Sequence, residues 1–215
     1  MKGIFITFEG PDGAGKTTQL KKLAFALQEE GWSAVVTREP GGTMISDKIR
    51  EILLSPDHVE MSDQAEVLLY AASRAQHVRE LIAPSLNRGE IVLCDRFVDA
   101  SIAYQAYGLG VEERVVRSVN EFATGGLVPD RTYMLDIPVE ESRHRLLTRS
   151  GAELTPELDR IEQKELEYHR RVREGFLRIA QAEPHRVRLL DAAGSEEVLA
   201  GAILSDVKLL LERCL

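Results

Sequence analysis

The segment Gly10-Pro11-Asp12-Gly13-Ala14-Gly15-Lys16-Thr17 follows directly on the apolar run Gly3-Ile4-Phe5-Ile6-Thr7-Phe8. It matches the pattern G-x-x-x-x-G-K-[ST] at every fixed position. The run before it reads as a buried strand, and Thr17 to about Glu30 has helical spacing. The chain is thus committed to a strand, a glycine turn and a helix in that order, the setting the pattern requires. The glycines let backbone N–H groups turn inward as an anion cradle, Lys16 reaches the outer phosphates, and Thr17 offers a hydroxyl to Mg2+. The plain alternative, a glycine turn without a ligand, does not account for that context.

Further apolar, β-branched runs at Ser33 to Thr37, Ile91 to Asp95, Thr132 to Ile137 and Arg186 to Leu190 alternate with long helical patterns. Val35-Val36, Ile91-Val92-Leu93 and Tyr133-Met134-Leu135 are nearly continuous, as in strands covered by helices on both faces. The expected fold is α/β, a three-layer doubly wound domain on a five-stranded parallel sheet. Helices are expected over Thr43 to Leu54, Ser62 to Leu86 with Ser62 as cap, Ser101 to Tyr107, Val111 to Ala123 ended by Gly125-Gly126, Val139 to Arg149, and Ser195 to Glu212. Ser150 to Pro156 breaks the pattern before helix resumes near Asp159, which makes residues 149–161 a candidate mobile flap within one domain spanning 1–215.

With 27 basic and 35 acidic residues, the net charge of −8 argues against a nucleic-acid backbone or an anionic membrane as the main partner. A polyanionic ligand must then be held by local positive charge. The longest stretch free of Asp, Glu, Lys and Arg is Ala100 to Val111, 12 residues, short of the roughly 18 that span a bilayer. No signal segment precedes the first strand, and Cys94 and Cys214 suggest neither a disulfide framework nor a metal site, so a reducing cytoplasm is expected. The five histidines show no metal-ligand spacing, and Gly108-Leu109-Gly110-Val111-Glu112-Glu113 fails the dinucleotide pattern at its last position.

Ligands of open parallel sheets bind at the C-terminal ends of the strands. After the second strand comes Thr37-Arg38-Glu39-Pro40-Gly41-Gly42-Thr43, and the third ends in Asp95-Arg96. Arg38, Arg96 and Lys16 would meet on one rim, where guanidinium forks suit a phosphate dianion; surface ion pairs are the alternative for both arginines. Asp95 closes a hydrophobic strand, where a carboxylate commonly holds Mg2+ directly or through water; Asp12 lies within reach of the transfer site, or serves as an Asx turn. Tyr70, Ser73, Arg74 and His77 recur at helical spacing, which would set an aromatic plane beside a guanidinium for a nucleobase; an ordinary amphipathic helix would give the same spacing. Ser101 to Gln105 adds polar groups past Asp95-Arg96. Arginines flank the flap, and a closing lid would bring positive charge while excluding water; a solvated charged loop would look the same.

Phe8-Glu9-Gly10 with the loop, the Arg38-Glu39-Pro40-Gly41-Gly42-Thr43 segment, Asp95-Arg96, Ser101 to Gln105 and Asp159-Arg160-Ile161-Glu162 together closely resemble the bacterial thymidylate kinase family, in the right order over nearly the whole chain. The resemblance implies transfer of the γ-phosphoryl group of ATP-Mg2+ to dTMP, giving ADP and dTDP for dTTP synthesis, by a cytoplasmic homodimer with the P-loop kinase fold. It implies that Gly10, Pro11, Asp12, Gly13, Ala14, Gly15, Lys16, Thr17 and Thr18 hold ATP and that Thr17 and Asp95 serve Mg2+. Arg38 and Arg96 would bind the dTMP phosphate, Tyr70 would stack near the thymine, and Arg74 would bond its edge. Ser101 and Gln105 would approach the base, Tyr104 would crowd a 2′-hydroxyl, and Asp12 would contact the sugar. Lys16, Asp12 and Arg96 would carry catalysis together with a lid arginine, Arg149 or Arg160, because the loop itself contains none. The lid is longer than the family's compact form, and Ala106 stands where glycine is usual.

A nucleoside monophosphate kinase for another base would share every phosphate contact. A nucleotide-dependent switch is the other alternative, but Asn87 and Asn120 lack the Asn-Lys-x-Asp context of a guanine site, and Asp191-Ala192-Ala193-Gly194 stands far from the loop.

Overall fold

The computed structural model describes residues 3–149 and 158–214. Five strands, β1 (Ile4–Glu9), β2 (Ala34–Arg38), β3 (Ile91–Asp95), β4 (Arg131–Asp136) and β5 (Val187–Asp191), form one parallel sheet in the order β2-β3-β1-β4-β5. The chain turns to one side of β1 to build β2 and β3, then crosses to build β4 and β5. The crevice at the C-terminal end of β1 is therefore the topological switch point, where such sheets bind ligands. Register fixes what meets there, because Phe8 of β1 and Arg38 of β2 both pair with Asp95 of β3. The phosphate-loop pattern, the Arg-Glu-Pro-Gly-Gly-Thr segment and Asp95-Arg96 consequently leave the sheet side by side.

The helices are α1 (Lys16–Glu29), α2 (Met44–Leu54), α3 (Asp63–His77), α4 (Ala83–Asn87), α5 (Val98–Ser101), α6 (Glu113–Thr124), α7 (Val139–Arg149), α8 (Leu166–Ala182) and α9 (Glu196–Cys214). Ser62 caps α3, its hydroxyl accepting the Ala65 N–H at 3.3 Å, and Gly125 ends α6 in the left-handed conformation. The helix expected over Ser62 to Leu86 is α3 and α4 joined by a π-helical turn, Val78–Ile82. Pro84, with no N–H to donate, lies just beyond that turn. A second π-helical stretch, Ile102–Gly108, continues α5 and carries Tyr104 and Gln105.

One core lies between β1, β3, β4 and the helices α1 and α9, built from Ile6, Phe8, Leu20, Leu27, Leu93, Leu135 and Val207. On the opposite face Phe5, Val92 and Phe97 meet Val78 and Ile82. Two expectations are corrected. Coverage of both faces holds for β1, β3 and β4, but β2 is an edge strand whose Val36 is 50% exposed. Helix does not resume near Asp159 but at Leu166, because residues 159–162 close a turn of their own. There Asp159 Oδ1 accepts the Ile161 and Glu162 N–H groups at 2.8 Å each, and Glu162 Oε2 accepts the Asp159 N–H at 3.1 Å, a reciprocal capping arrangement. The flap residues 150–157 lie outside the described residues.

Candidate active site

Gly10, Gly13 and Gly15 take positive φ values of 128°, 76° and 88°. A Cβ on Gly10 would sit 2.1 Å from the Leu135 carbonyl oxygen, so only glycine lets the loop pass over β4. Ser142 of α7 donates to the Asp12 carbonyl at 2.6 Å and pins the loop from the other side. Lys16 Nζ donates back to the Pro11 carbonyl at 2.8 Å. Burial, with the Arg96 charge adding to it, pushes the Lys16 ammonium down to about 8 against the pull of Asp12, Asp95 and Glu9. Thr17 Oγ1 donates to Asp95 Oδ2 at 2.5 Å.

Arg96 is the one non-glycine residue with positive φ among the described residues, at 72°. The turn is held from both sides, its own N–H donating to the Phe8 carbonyl at 2.9 Å and the next N–H, of Phe97, to Glu9 Oε1 at 2.6 Å. That conformation swings the guanidinium back over the loop, where Nη1 donates to the Gly10 carbonyl at 2.9 Å and Nη2 to Asp12 Oδ1 at 2.6 Å. The Tyr104 hydroxyl accepts from Arg96 at 3.1 Å and donates to Asp12 Oδ2 at 2.8 Å. Burial alone would raise the Asp12 carboxyl, but the charges of Arg96 and Lys16 outweigh it and hold the group well below the usual carboxylate range. Glu9 shows the opposite balance: burial, aided by the nearby Asp99 carboxylate, pushes it up to about 8.

Two adjoining cavities flank this cluster. The outer one, about 810 Å³, is lined by Asp12, Gly13 and Gly15 to Thr18 of the loop and by Arg38, Asp95 and Arg145, a size suited to a nucleotide. The inner one, about 90 Å³, is lined by Pro40, Tyr70, Arg74, Ser101, Tyr104 and Gln105. Asp12, Glu39, Arg50, Arg96 and Asp159 line both, so the cavities share one charged wall.

The expected residues divide between these places. Arg38 lines the outer cavity only, paired with Asp47 at 3.0 Å. The Tyr70-Ser73-Arg74-His77 stripe splits: Tyr70 and Arg74 face the inner cavity, whereas Ser73 and His77 turn into the interior. Ser73 Oγ accepts the Gly41 N–H at 3.2 Å, and His77 bridges Glu39 at 2.9 Å and Thr37 at 2.7 Å. Arg74 is 2% exposed; Nε donates to Glu39 at 2.6 Å, Nη1 to Ser101 at 2.9 Å and to Asn120, and Nη2 to the Phe97 carbonyl at 2.9 Å. Arg160, one of the two alternatives for the lid arginine, is buried in this structure, with Nη2 on Glu66 at 2.7 Å and Nε on the Leu53 carbonyl at 2.9 Å. The backbone of α7 extends to Arg149, and the Arg149 side chain lies outside the described residues.

Sequence reasoning missed four residues that the fold brings in. Arg50, whose Nη1 donates to the Pro40 carbonyl at 2.9 Å, lines the shared wall, and its signal was one helical turn from Asp47. Glu39 stood in the quoted segment without a role. Arg145 reaches the outer cavity beside Gly13, and Glu66 sits behind Gln105.

An anion cradle next to a base-sized cavity, divided by a wall that carries Arg50 and Arg96, defines a P-loop enzyme that moves a phosphoryl group between two bound nucleotides. The profile of the thymidylate kinase family matches residues 8–203. The thymidylate kinase of Exiguobacterium sibiricum is 54% identical over 99% of this chain and 98% of its own length, and that of Geobacter sulfurreducens 47% over 96% and 97%. The crystal structure of thymidylate kinase from Ehrlichia chaffeensis superposes with a TM-score of 0.77 at 31% identity, over 97% of this chain and 99% of that one. The chain belongs to the thymidylate kinase family.

Proposed function

We propose that this chain transfers the γ-phosphoryl group of ATP to dTMP, with ATP on the loop in the outer cavity and dTMP reaching from the shared wall into the inner one. The observation that carries the reading is that wall, which gives both ligands' phosphates one set of cations, Arg50 and Arg96, within reach of Lys16. Residues Gly10 to Thr18 hold the ATP phosphates. Arg38 and Arg96 hold the acceptor phosphate, with Arg50 added to them. Tyr70 covers the thymine, Arg74, Ser101 and Gln105 read its edge, and Tyr104, fixed by Asp12, closes off the 2′ position. The acceptor phosphate is already anionic near neutral pH, so no strong base is required; positioning and charge neutralisation carry the rate. Lys16, Asp12 and Arg96 supply these, with Arg149 as the lid arginine.

The paired oxygens of Thr17 and Asp95 on the outer cavity fit a hard cation that keeps waters and substrate phosphates as its other ligands. Thr17 would hold Mg2+ directly and Asp95 directly or through water; bound there, the ion neutralises phosphate charge. A homodimer in the cytoplasm is the setting we infer. It is supported by exposed apolar residues on three helices packed side by side, Ile45 of α2, Leu68 of α3 and Phe122 of α6, and by the absence of a membrane-crossing helix among the described residues.

An acceptor panel with ATP-Mg2+ tests the reading. The highest kcat/KM is expected for dTMP. A higher value for dCMP or AMP overturns it, and ATP turnover that is equally fast without acceptor assigns the chain to the switches.

A further inference from the structure

Gln105 lines the inner cavity and is 1% exposed. Its Nε2 donates to Glu66 Oε1 at 3.0 Å, while its Oε1 is buried with no hydrogen-bond partner. Buried polar atoms are seldom left unmatched, so an orphan acceptor beside a ligand cavity points to a donor on the ligand. Glu66, also 1% exposed, is held in turn by Arg160, whose Nη2 donates to its second oxygen at 2.7 Å. A carboxylate paired with a guanidinium only accepts hydrogen bonds. It therefore fixes which way the amide stands: flipping Gln105 would set its oxygen against a carboxylate oxygen and strand its NH2 group. Across the cavity Arg74 contributes the opposite polarity. Four of its five N–H groups are committed to Glu39, Ser101, Asn120 and Phe97, and the one left over, on Nη2, is a donor.

We propose that Glu66, locked by Arg160, sets the polarity of Gln105 so that the inner cavity selects a pyrimidine with N–H at ring position 3 and a carbonyl beside it, and rejects cytosine. Thymine and uracil carry that donor and acceptor. Cytosine carries the reverse pair at the same two positions. Glu66 is thus a positioning residue that acts on specificity through Gln105. The inference rests on the base occupying the inner cavity.

The test is Glu66→Gln, because an amide at 66 gives its oxygen to the donor-only Arg160 and turns its NH2 group toward Gln105, which removes the penalty for flipping and favours the flipped amide. The ratio of kcat/KM for dTMP over dCMP should fall by roughly tenfold or more, while the dTMP over dUMP ratio stays unchanged, since Gln105 does not read the methyl group. A purely structural loss would lower all three acceptors together. Should Glu66→Gln fold poorly because Arg160 is left unpaired, Glu66→Gln with Arg160→Met carries the same expectation. A folded variant whose dTMP over dCMP ratio matches wild type overturns the proposal. Wild-type enzyme that fails to prefer dTMP and dUMP over dCMP would instead overturn the placement of the base.

Discussion

Replacing Arg160 by alanine separates two roles for a lid-border arginine. In the structure the side chain is 7% exposed, its guanidinium meets the Glu66 carboxylate at 2.7 Å, and its Nε holds the Leu53 carbonyl. Truncation leaves Glu66 as a buried carboxylate without its counter-charge, which costs about 3–5 kcal/mol. For a chain of 215 residues each kcal/mol is worth about 2–4 °C of Tm, so the variant should melt roughly 6–20 °C below wild type. An arginine seated on the transferring phosphoryl group would behave differently, costing about 10^3 to 10^5 in kcat with the fold intact. Thermal unfolding by circular dichroism, with steady-state kinetics well below the melting range, reads both. The destabilisation should be largely recovered in Glu66→Gln with Arg160→Met, where no buried charge is left alone. A thousandfold loss of kcat with Tm within about 2 °C of wild type would refute the structural reading and return Arg160 to the reacting phosphate.

Glu9→Gln should flatten the pH dependence of stability. With its carboxyl pushed up to about 8 by burial and by Asp99, the folded state keeps a proton that the unfolded chain releases near the ordinary glutamate value of 4.5. Wild-type stability from this group is full below that value and is lost as pH rises toward 8, at about 1.4 kcal/mol per unit. Urea unfolding at pH 5 and pH 8 should show the variant gaining on wild type at the higher pH by a few kcal/mol, and an equal difference at both would contradict the assignment. Arg96→Lys removes the fork that spans Gly10, Asp12 and Tyr104. It should lower kcat/KM for dTMP by about a hundredfold or more while the KM for ATP moves little; a loss confined to ATP would place Arg96 on the donor instead.

Much of this site was legible because its signals are local. The loop glycines, Lys16 and Thr17 are contiguous, and three strand ends that continue into Gly10, Arg38 and Asp95-Arg96 become neighbours once the strands are parallel. What escaped were contacts made across the chain. Glu66 on a helix reads as one more solvated carboxylate until packing sets it against Arg160, 94 residues away. Arg160 reads as lid charge for the same reason, since nothing in Asp159-Arg160-Ile161-Glu162 reveals that its turn is fastened to Leu53 and Leu54. The hydrophobic run of β2 signals a strand but not its place at the sheet edge, which depends on strand order.

The wiring of Arg74 carries a thermodynamic consequence. A free arginine side chain has about 2 kcal/mol of rotamer entropy to lose when it grips a ligand. Here four hydrogen bonds hold the guanidinium in advance, so that entropy is surrendered during folding, and a base bound as proposed would be spared the cost. The same rigidity would leave the proposed base site no room to adapt: a base whose edge is displaced would have to find its partner where Arg74 already stands.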